Sequence, residues 1–327
     1  MRLEVSLGLW QDRPAEESLH TARLADKHGY PAVWIGEMAT YDAFALATAA
    51  GLTMTRSSLI LGPLAVQVRD PMMIAMGAAS VGSLTGRPVG VALGTSSTVV
   101  VEEWHGRSRK SAARALAESA EALTPLLAGD RSNFTGTQVA SRGYRLRLPA
   151  PGQGLPPGTT LTIAAFGPSA VETAARLADR MVINLVSPET AAALVTAVRA
   201  AAHRHGRPTP RVAAWIPTAV DAGPAAIDQT RRGLVSYLAA PGYAEMFEQA
   251  GFADVVAYAR TRPHPRDLLS AIPDAMVHTI GAFGTRTEVT TRLNAYANAG
   301  VDDLVIVPSA TPQDPAAAHT LATLAPT

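Results

Sequence analysis

Cysteine is absent from this chain of 327 residues, so disulfide bonds and thiolate chemistry are excluded. Aromatic residues make up only 5% of the chain, and the formal net charge is +1 with no basic tract. Nucleic-acid-binding proteins usually carry a clustered positive surface, so this composition argues against a nucleic-acid partner. The 8 histidines are scattered, and no set of His, Asp and Glu has the spacing of metal ligands, so we expect no metal site.

Long apolar runs are also missing. No segment reaches the roughly 18 consecutive apolar residues that span a bilayer. The first residues read MRLEVSLGLW, which is a strand pattern and not the apolar stretch and cleavage site of a signal peptide. Hydrophobic residues still make up 47% of the chain, which is enough for a large core. The sequence therefore predicts a cytoplasmic protein with no membrane partner.

Short apolar runs alternate with longer segments of helical period along most of the chain. The candidate strands cover residues 3–9, 32–36, 59–66, 89–93, 161–165, 181–185, 212–220 and 303–307. The candidate helices cover residues 15–28, 42–53, 71–84, 111–127, 169–178, 188–205, 287–299 and 314–324. Such a pattern means either a closed barrel or an open doubly wound sheet. The count of strands and the chain length favour an α/β fold of the (α/β)8 TIM-barrel type.

One domain over residues 1–327 is predicted, because no repeat and no low-complexity linker divides the chain. Three irregular regions interrupt the alternation, at about 98–110, 129–159 and 221–283. The second region contains Gly and Pro punctuation around an alternating stretch, which indicates a hairpin or a long loop. Because loops tune the specificity of barrels, the first and third regions are expected to form the substrate pocket.

The carboxyl ends of the strands, where a barrel places its active site, are poor in acids and bases. Glu37 is the one strong acid among them. They are rich in glycine, which lets the backbone approach a flat ligand closely. Gly167-Pro168-Ser169 precedes a predicted helix, whose free N–H groups favour a phosphate. The pattern predicts a bound cofactor that carries the difficult chemistry.

Each of these features also has a purely structural explanation. Glycines at strand ends are often only turn residues, and Glu37 can be a surface carboxylate or pair with an arginine of the barrel. Trp10 can belong to the core, while His105 and His278 can be structural residues of loops and helix ends. The choice between these explanations depends on the geometry.

Three long segments carry a family resemblance. They are DPMMIAMGAASVGSLTGRPVGVALGTSS at 70–97, LTIAAFGPSAVETAARLADRM at 161–181 and GTRTEVTTRLNAYANAGVDDLVIV at 284–307. Together they resemble the luciferase-like superfamily of flavin and deazaflavin oxidoreductases, in register along nearly the whole chain. The similarity is greatest to members that use the 8-hydroxy-5-deazaflavin coenzyme F-420, such as methylenetetrahydromethanopterin reductases.

The resemblance implies a TIM barrel of the bacterial-luciferase-like type and a homodimer. It implies hydride transfer between coenzyme F-420 and a small organic substrate with a C=C, C=N or alcohol/carbonyl group. It also implies a non-prolyl cis peptide at Leu64–Ala65. The family's cofactor contacts map onto strand-end positions, namely Glu37, Leu64, Ala65, Gly94, Thr95, Ser96, Ser97, Ala165, Phe166, Gly167 and Pro168.

Glu37 is the first candidate for a catalytic proton donor, with Tyr41 and His278 as further candidates, and Trp10 and His105 are candidate substrate contacts. The chain departs from the family pattern at two points. Relatives often place a His after the acid of strand two, where this chain has Met38 in Glu37-Met38. The related sugar-phosphate dehydrogenases place a Glu at the turn after strand four, where this chain has Ser97.

Two alternatives to the deazaflavin enzyme remain open. One is the other large branch of the superfamily, an FMN-dependent monooxygenase that receives FMNH2 from a partner reductase and activates O2. The other is a barrel without catalytic activity that binds a flavin-like ligand. A cofactor-free hydrolase would need acid–base pairs or metal ligands that the sequence does not show.

Overall fold

A computed structural model of the chain describes residues 2–37, 39–148 and 159–326. Its strands are β1 Arg2–Ser6, β2 Ala32–Ile35, β3 Ser58–Ala65, β4 Val89–Gly94, β5 Ser132–Thr135, β6 Ala140–Tyr144, β7 Leu161–Ala164, β8 Arg180–Asn184, β9 Arg211–Val220, β10 Ala282–Gly284 and β11 Asp303–Pro308. Its α-helices are α1 Glu17–Lys27, α2 Ala43–Gly51, α3 Pro71–Thr85, α4 Ala112–Leu127, α5 Pro168–Leu177, α6 Pro188–Arg204, α7 Pro224–Leu234, α8 Tyr243–Gln249, α9 Ala253–Arg260, α10 Pro265–Ala271, α11 Asp274–Ile280, α12 Arg286–Asn298 and α13 Ala318–Thr323.

The strands close into a parallel barrel. Its order is β1, β2, β3, β4, β7, β8, β9 and β11, and β11 pairs back onto β1. The short strand β10 adds in parallel to the far end of β9, outside this ring. The predicted (α/β)8 TIM barrel is therefore confirmed, and the open doubly wound sheet is not formed.

Helix starts and stops follow the local sequence. Asp70 accepts a hydrogen bond from the Met73 N–H at the start of α3, Pro71 follows at the first position, and Gly86 ends the helix with φ of 67°. Thr285 and Glu288 form a capping box at the start of α12. Among the described residues, none of the helices is long and apolar enough to cross a membrane.

The interior of the barrel is separate from the layer between barrel and helices. Inward-facing residues form a small apolar cluster that comprises Ala32, Trp34, Ile60, Ala92, Val182, Ala213 and Val305. Charged residues fill the amino-terminal end below it, where Arg180 contacts Glu4 and Asp303, and Arg211 contacts Asp303. Burial raises the pKa of Glu4, and the nearby Arg180 opposes this. The amino-terminal end is thus plugged, and the carboxyl end forms the mouth of the barrel.

The irregular regions contain more structure than their sequence indicated. Residues 98–110 include a π-helical turn, Val99–Trp104. The hairpin of residues 129–159 is β5 with β6, and residues 149–158 of that region lie outside the described residues. Residues 221–283 hold α7 to α11 and the start of β10. The last predicted helix is divided, because a 3-10 turn at Pro315–Ala317 precedes α13.

The prediction of a cis peptide at Leu64–Ala65 is wrong. The cis bond of the described residues is the prolyl bond Gly62–Pro63, two peptide bonds earlier in β3. Proline has a tertiary amide, which removes most of the preference for trans, so the cis bond forms at the prolyl position. The irregularity itself is present, because the register of β3 against β4 shifts between Leu61 and Leu64.

Candidate active site

The predicted cofactor positions lie on neighbouring strands at the mouth of the barrel. β2, β3, β4 and β7 are adjacent in the ring, and their carboxyl ends hold Glu37, Leu64, Ala65, Gly94 and Ala165. Ala65 is the register partner of Gly94, and the Val66 N–H donates to the Gly94 carbonyl at 3.1 Å. The structure therefore brings these positions together, and we call this set of strand ends the coenzyme arc.

Gly94 provides a close approach at the centre of the arc. A Cβ atom at this position would lie 3.2 Å from Pro63 Cβ and 3.5 Å from Ala164 Cβ. Side chains from β3 and β7 thus border the buried glycine, and a residue with a Cβ atom would crowd them at the mouth. The loop that follows turns at Ser96, which has φ of 54°.

Arg109 holds this loop in place through its guanidinium. This residue was not identified from the sequence. Its Nε donates to the Ser96 carbonyl at 3.0 Å, and Nη2 lies 3.4 Å from Thr95 Oγ1. Ser97 makes a local bond, because its Oγ accepts from the Val100 N–H at 3.3 Å. The turn after β4 is therefore held from outside by a guanidinium. Arg109 lies in the short segment RSRK at 107–110, and the partner of its guanidinium could not be inferred from the sequence.

The turn after β7 combines a buried part and an exposed part. The N–H of buried Ala165 donates to the Val182 carbonyl at 3.0 Å. The Phe166 ring packs on the Tyr243 ring with centroids 4.4 Å apart. Gly167 and Pro168 start α5 in an exposed position, and no side chain of the described residues caps this helix end. An exposed start of a ten-residue helix is suited to an anionic group of a ligand.

Tyr243 supports this turn from the third irregular region. Its hydroxyl donates to the Asn184 carbonyl at 3.0 Å, and burial raises the pKa of Tyr243 far above its usual range. Gly242 has φ of 87°, and a Cβ there would collide with the Phe166 ring. The chain of α8 therefore starts directly against the turn after β7.

Glu37 is paired with an arginine. The Arg69 guanidinium donates to both carboxylate oxygens of Glu37, with Nε 2.9 Å from Oε2. Arg69 also contacts the Asp42 carboxylate, and it lies 4.9 Å from the centre of the Phe44 ring. Its hydrogen bond with Glu37 is the main cause that raises the pKa of Arg69. The arginine pairing that the sequence left open is therefore formed, and Glu37 acts here as an acceptor.

The other candidate side chains are spread around the mouth. Tyr41 and His105 are exposed, and exposed His278 on α11 packs edge-on against Phe283 with centroids 5.6 Å apart. Trp10 covers Gly8 and donates from Nε1 to the Pro308 carbonyl at 3.0 Å. In the described parts of the chain, no hydrogen bond or ring contact joins these four residues to the coenzyme arc.

Trp215 on β9 was also missed. Its ring packs edge-on against Trp34 with centroids 5.9 Å apart. Its Cη2 atom lies 3.6 Å from where a Cβ of Gly36 would be, so the indole reaches across the barrel toward β2. The ring is only partly buried, so it forms part of the floor of the mouth. Because β9 is apolar on both faces, its sequence does not indicate which residues point into the barrel. The inward direction of Trp215 therefore could not be predicted.

Unpartnered polar atoms line the barrel interior. They belong to residues on the same strand faces as the inward-facing cluster, and within the described residues they have no hydrogen-bond partner: Ser6 Oγ, Thr162 Oγ1, Trp215 Nε1 and Ser309 Oγ. A buried polar group without a partner costs about 1–3 kcal/mol, so such groups usually meet a ligand or water. Together with the small residues around Gly94, they suit a flat heteroaromatic cofactor that has polar edges.

Comparisons with known proteins agree with this geometry. The family model described as luciferase-like monooxygenase matches residues 4–303. The 5,10-methylenetetrahydromethanopterin reductase of Methanolobus tindarius is 24% identical over 306 residues, which cover 89% of this chain and 90% of the relative.

Two solved structures share the fold. The coenzyme F-420-dependent tetrahydromethanopterin reductase of Methanopyrus kandleri superposes with a TM-score of 0.83 at 17% identity, covering 99% of this chain and 98% of the other. The oxygenating constituent of 3,6-diketocamphane monooxygenase from Pseudomonas putida, solved with FMN, gives 0.69 at 16% identity, covering 99% and 97%. Because the family model covers most of the sequence, this chain belongs to the luciferase-like monooxygenase family.

Proposed function

We propose that this chain is a coenzyme F-420-dependent oxidoreductase that acts on a small organic substrate. The observation that carries the proposal is the coenzyme arc, in which glycine and small residues from adjacent strands meet at the mouth of a barrel whose interior holds buried polar atoms without partners in the described residues. The relative from Methanolobus tindarius and the structure from Methanopyrus kandleri, both named as reductases, support the deazaflavin branch.

The residues that would hold the coenzyme come from three strand ends. The bulged segment at Leu64 and Ala65 would back the ring, and Gly94 to Ser97 would line its edge. The exposed start of α5 at Gly167 and Pro168 would receive an anionic group. When bound, the deazaflavin supplies the hydride donor or acceptor, so the protein needs only to bind, orient and handle a proton.

The protein's own contribution is orientation and proton transfer. Trp215 closes the floor of the mouth and presents an indole N–H there. Arg69 fixes Glu37 just after β2, one residue beyond Gly36, which the Trp215 ring approaches. Since both Glu37 oxygens accept from Arg69, Glu37 would orient a water or a substrate donor and accept a proton from it. Tyr41 and His278 are then the candidate proton donors.

A second candidate function is an FMN-dependent monooxygenase that uses FMNH2 from a partner reductase and O2. The similarity to the monooxygenase structure from Pseudomonas putida favours it, because that structure was solved in complex with FMN. It predicts substrate-dependent oxygen uptake, which the deazaflavin reductase does not.

Turnover assays distinguish the candidates. Under anaerobic conditions, the protein with reduced coenzyme F-420 and a panel of alkenes, imines and carbonyls should restore the absorbance of the oxidised deazaflavin. In parallel, reduced FMN with the same panel in air tests for an oxygenated product, because free reduced FMN consumes oxygen by itself. An oxygenated product without deazaflavin turnover would contradict the proposal, and steady turnover with either cofactor would exclude a barrel without catalytic activity.

We also propose that the chain forms a homodimer. The outer surface of α3 exposes Met73, Met76 and Leu84, with 48%, 40% and 65% of their surface accessible. Apolar side chains clustered in this way often mark an interface between subunits. Light scattering coupled to gel filtration should give twice the mass of the chain, and a monomer would contradict this part.

A further inference from the structure

A second recess lies at the same end of the barrel, outside the coenzyme arc. The loops that follow β1 and β11 and the helix α7 enclose about 220 Å³, and we call this space the α7 recess. The residues that matter in its lining are Asp12, Arg13, Ala225, Asp228, Gln229 and Arg232. All three elements follow the carboxyl ends of strands, so the recess is on the catalytic side of the fold.

Gln229 is a buried polar residue with an unused acceptor. Only 2% of its surface is exposed. Its Nε2 donates to Asp12 Oδ1 at 3.1 Å and to the Ala310 carbonyl at 2.8 Å, which fixes which end of the amide is the nitrogen. The side-chain oxygen Oε1 is buried and has no partner in the described residues. A buried acceptor of this kind requires a donor from a ligand or from water.

The charged residues of the recess are already paired. Arg232 contacts Asp12, Arg13 contacts Glu17, and Asp228 contacts Arg231. The recess therefore offers no spare charge to attract an anion or a cation. The acceptor Gln229 Oε1 can still receive a hydrogen bond from a neutral donor, such as a hydroxyl or an amide N–H.

The position of the recess suits a substrate group. In the ring of eight strands, β11 lies opposite β4, so the recess and Gly94 lie on opposite sides of the mouth. A substrate that reacts above the barrel can reach both sides. Asp228, Gln229 and Arg232 also belong to the region 221–283, which the sequence predicted to form the substrate pocket.

We propose that the α7 recess binds an uncharged, hydrogen-bond-donating group of the organic substrate, with Gln229 Oε1 as its acceptor. The assignment to the substrate rests on the proposed function. Binding in the recess does not require the coenzyme, so the two are tested separately.

The test uses cofactor-free protein and two probes of similar size, cyclohexanol and methoxycyclohexane. Both are apolar rings with one oxygen, but only the alcohol donates a hydrogen bond. Ligand-observed NMR titration should show that cyclohexanol binds roughly 5- to 10-fold more tightly than the ether, the difference expected for one neutral hydrogen bond. Equal binding of the two probes, or binding of neither, would overturn the proposal.

Variants locate the binding. Gln229→Leu should abolish the preference for the alcohol, whereas Gln249→Leu, at an exposed end of α8, should retain it. Because Gln229→Leu also removes two structural hydrogen bonds, Ala225→Leu provides a second probe that fills the recess and leaves these bonds intact. Cyclohexanol binding that persists in Ala225→Leu would overturn the proposal.

A separate titration with oxidised coenzyme F-420 keeps the two claims distinguishable. Gln229→Leu and Ala225→Leu should each bind the coenzyme with the same affinity as the unmodified protein. If probe binding follows the prediction but the coenzyme does not bind, only the proposed function fails. If Ala225→Leu weakens coenzyme binding, the recess belongs to the coenzyme and this inference fails.

Discussion

Asp26 anchors α1 to the segment that leads into β3, and its removal gives a stability change of predictable size. Its carboxylate accepts from the backbone N–H groups of Thr55, Arg56 and Ser57, each at 2.8 Å, and from two hydroxyls at 3.0 and 3.1 Å. Burial alone would raise the pKa of Asp26, but these hydrogen bonds outweigh it and lower the pKa from 3.8 to about 2.

This shift makes the folded state more stable at neutral pH. A depression of this size corresponds to about 2 kcal/mol of unfolding free energy. Because the folded pKa is the lower one, the contribution is present above the unfolded value and is lost as the pH falls from about 4 toward 2. Asp26→Asn should therefore lower the free energy of unfolding by about 2 kcal/mol at pH 7, and by about half of this at pH 3.

Urea unfolding at both pH values measures the effect. The control is Asp254→Asn, an exposed residue in the first turn of α9, which should change the unfolding free energy by less than about 0.5 kcal/mol. A deficit in Asp26→Asn that is equally large at pH 3 and pH 7 would refute the electrostatic reasoning. No deficit at pH 7 would refute the structural role of the hydrogen bonds.

Three further substitutions address the site. Glu37→Gln should lower turnover by about 10²–10⁴-fold and leave coenzyme affinity mostly intact, and unchanged turnover would remove Glu37 from the mechanism. Trp215→Phe keeps the ring but loses the N–H, so ligand binding at the mouth should weaken about 5- to 10-fold by calorimetry, while the exposed Trp104→Phe should not change it. Arg109→Ala frees the loop after β4 and should weaken coenzyme binding by about 10-fold, with a change in unfolding free energy below about 1 kcal/mol. Equal loss of stability and binding would mean that Arg109 is only structural.

The strand order and the coenzyme arc were predictable because both depend on local patterns. Buried strands are apolar throughout and are separated by capped helices, so the alternation is visible in the sequence. Once a parallel barrel is inferred, the carboxyl ends of its strands must gather at one mouth. Glu37, Ala65, Gly94 and Ala165 were therefore expected to be neighbours, and they lie on adjacent strands.

The partners of these residues were not predictable, because they depend on contacts between distant parts of the chain. Arg69 reaches Glu37 across 32 positions, and the loop geometry that permits this has no signature in the sequence. The inward direction of Trp215 was hidden because both faces of β9 are apolar. The cis bond was placed two peptide bonds too late because the family resemblance outweighed the local chemistry of Pro63.

Titration of the cofactor-free protein with oxidised coenzyme F-420, and separately with FMN, tests the central claim most directly. The account predicts micromolar or tighter binding of the deazaflavin by calorimetry, with FMN bound far more weakly. The opposite preference would place the chain with the FMN-dependent monooxygenases. Binding of neither would contradict the assignment of the coenzyme arc itself.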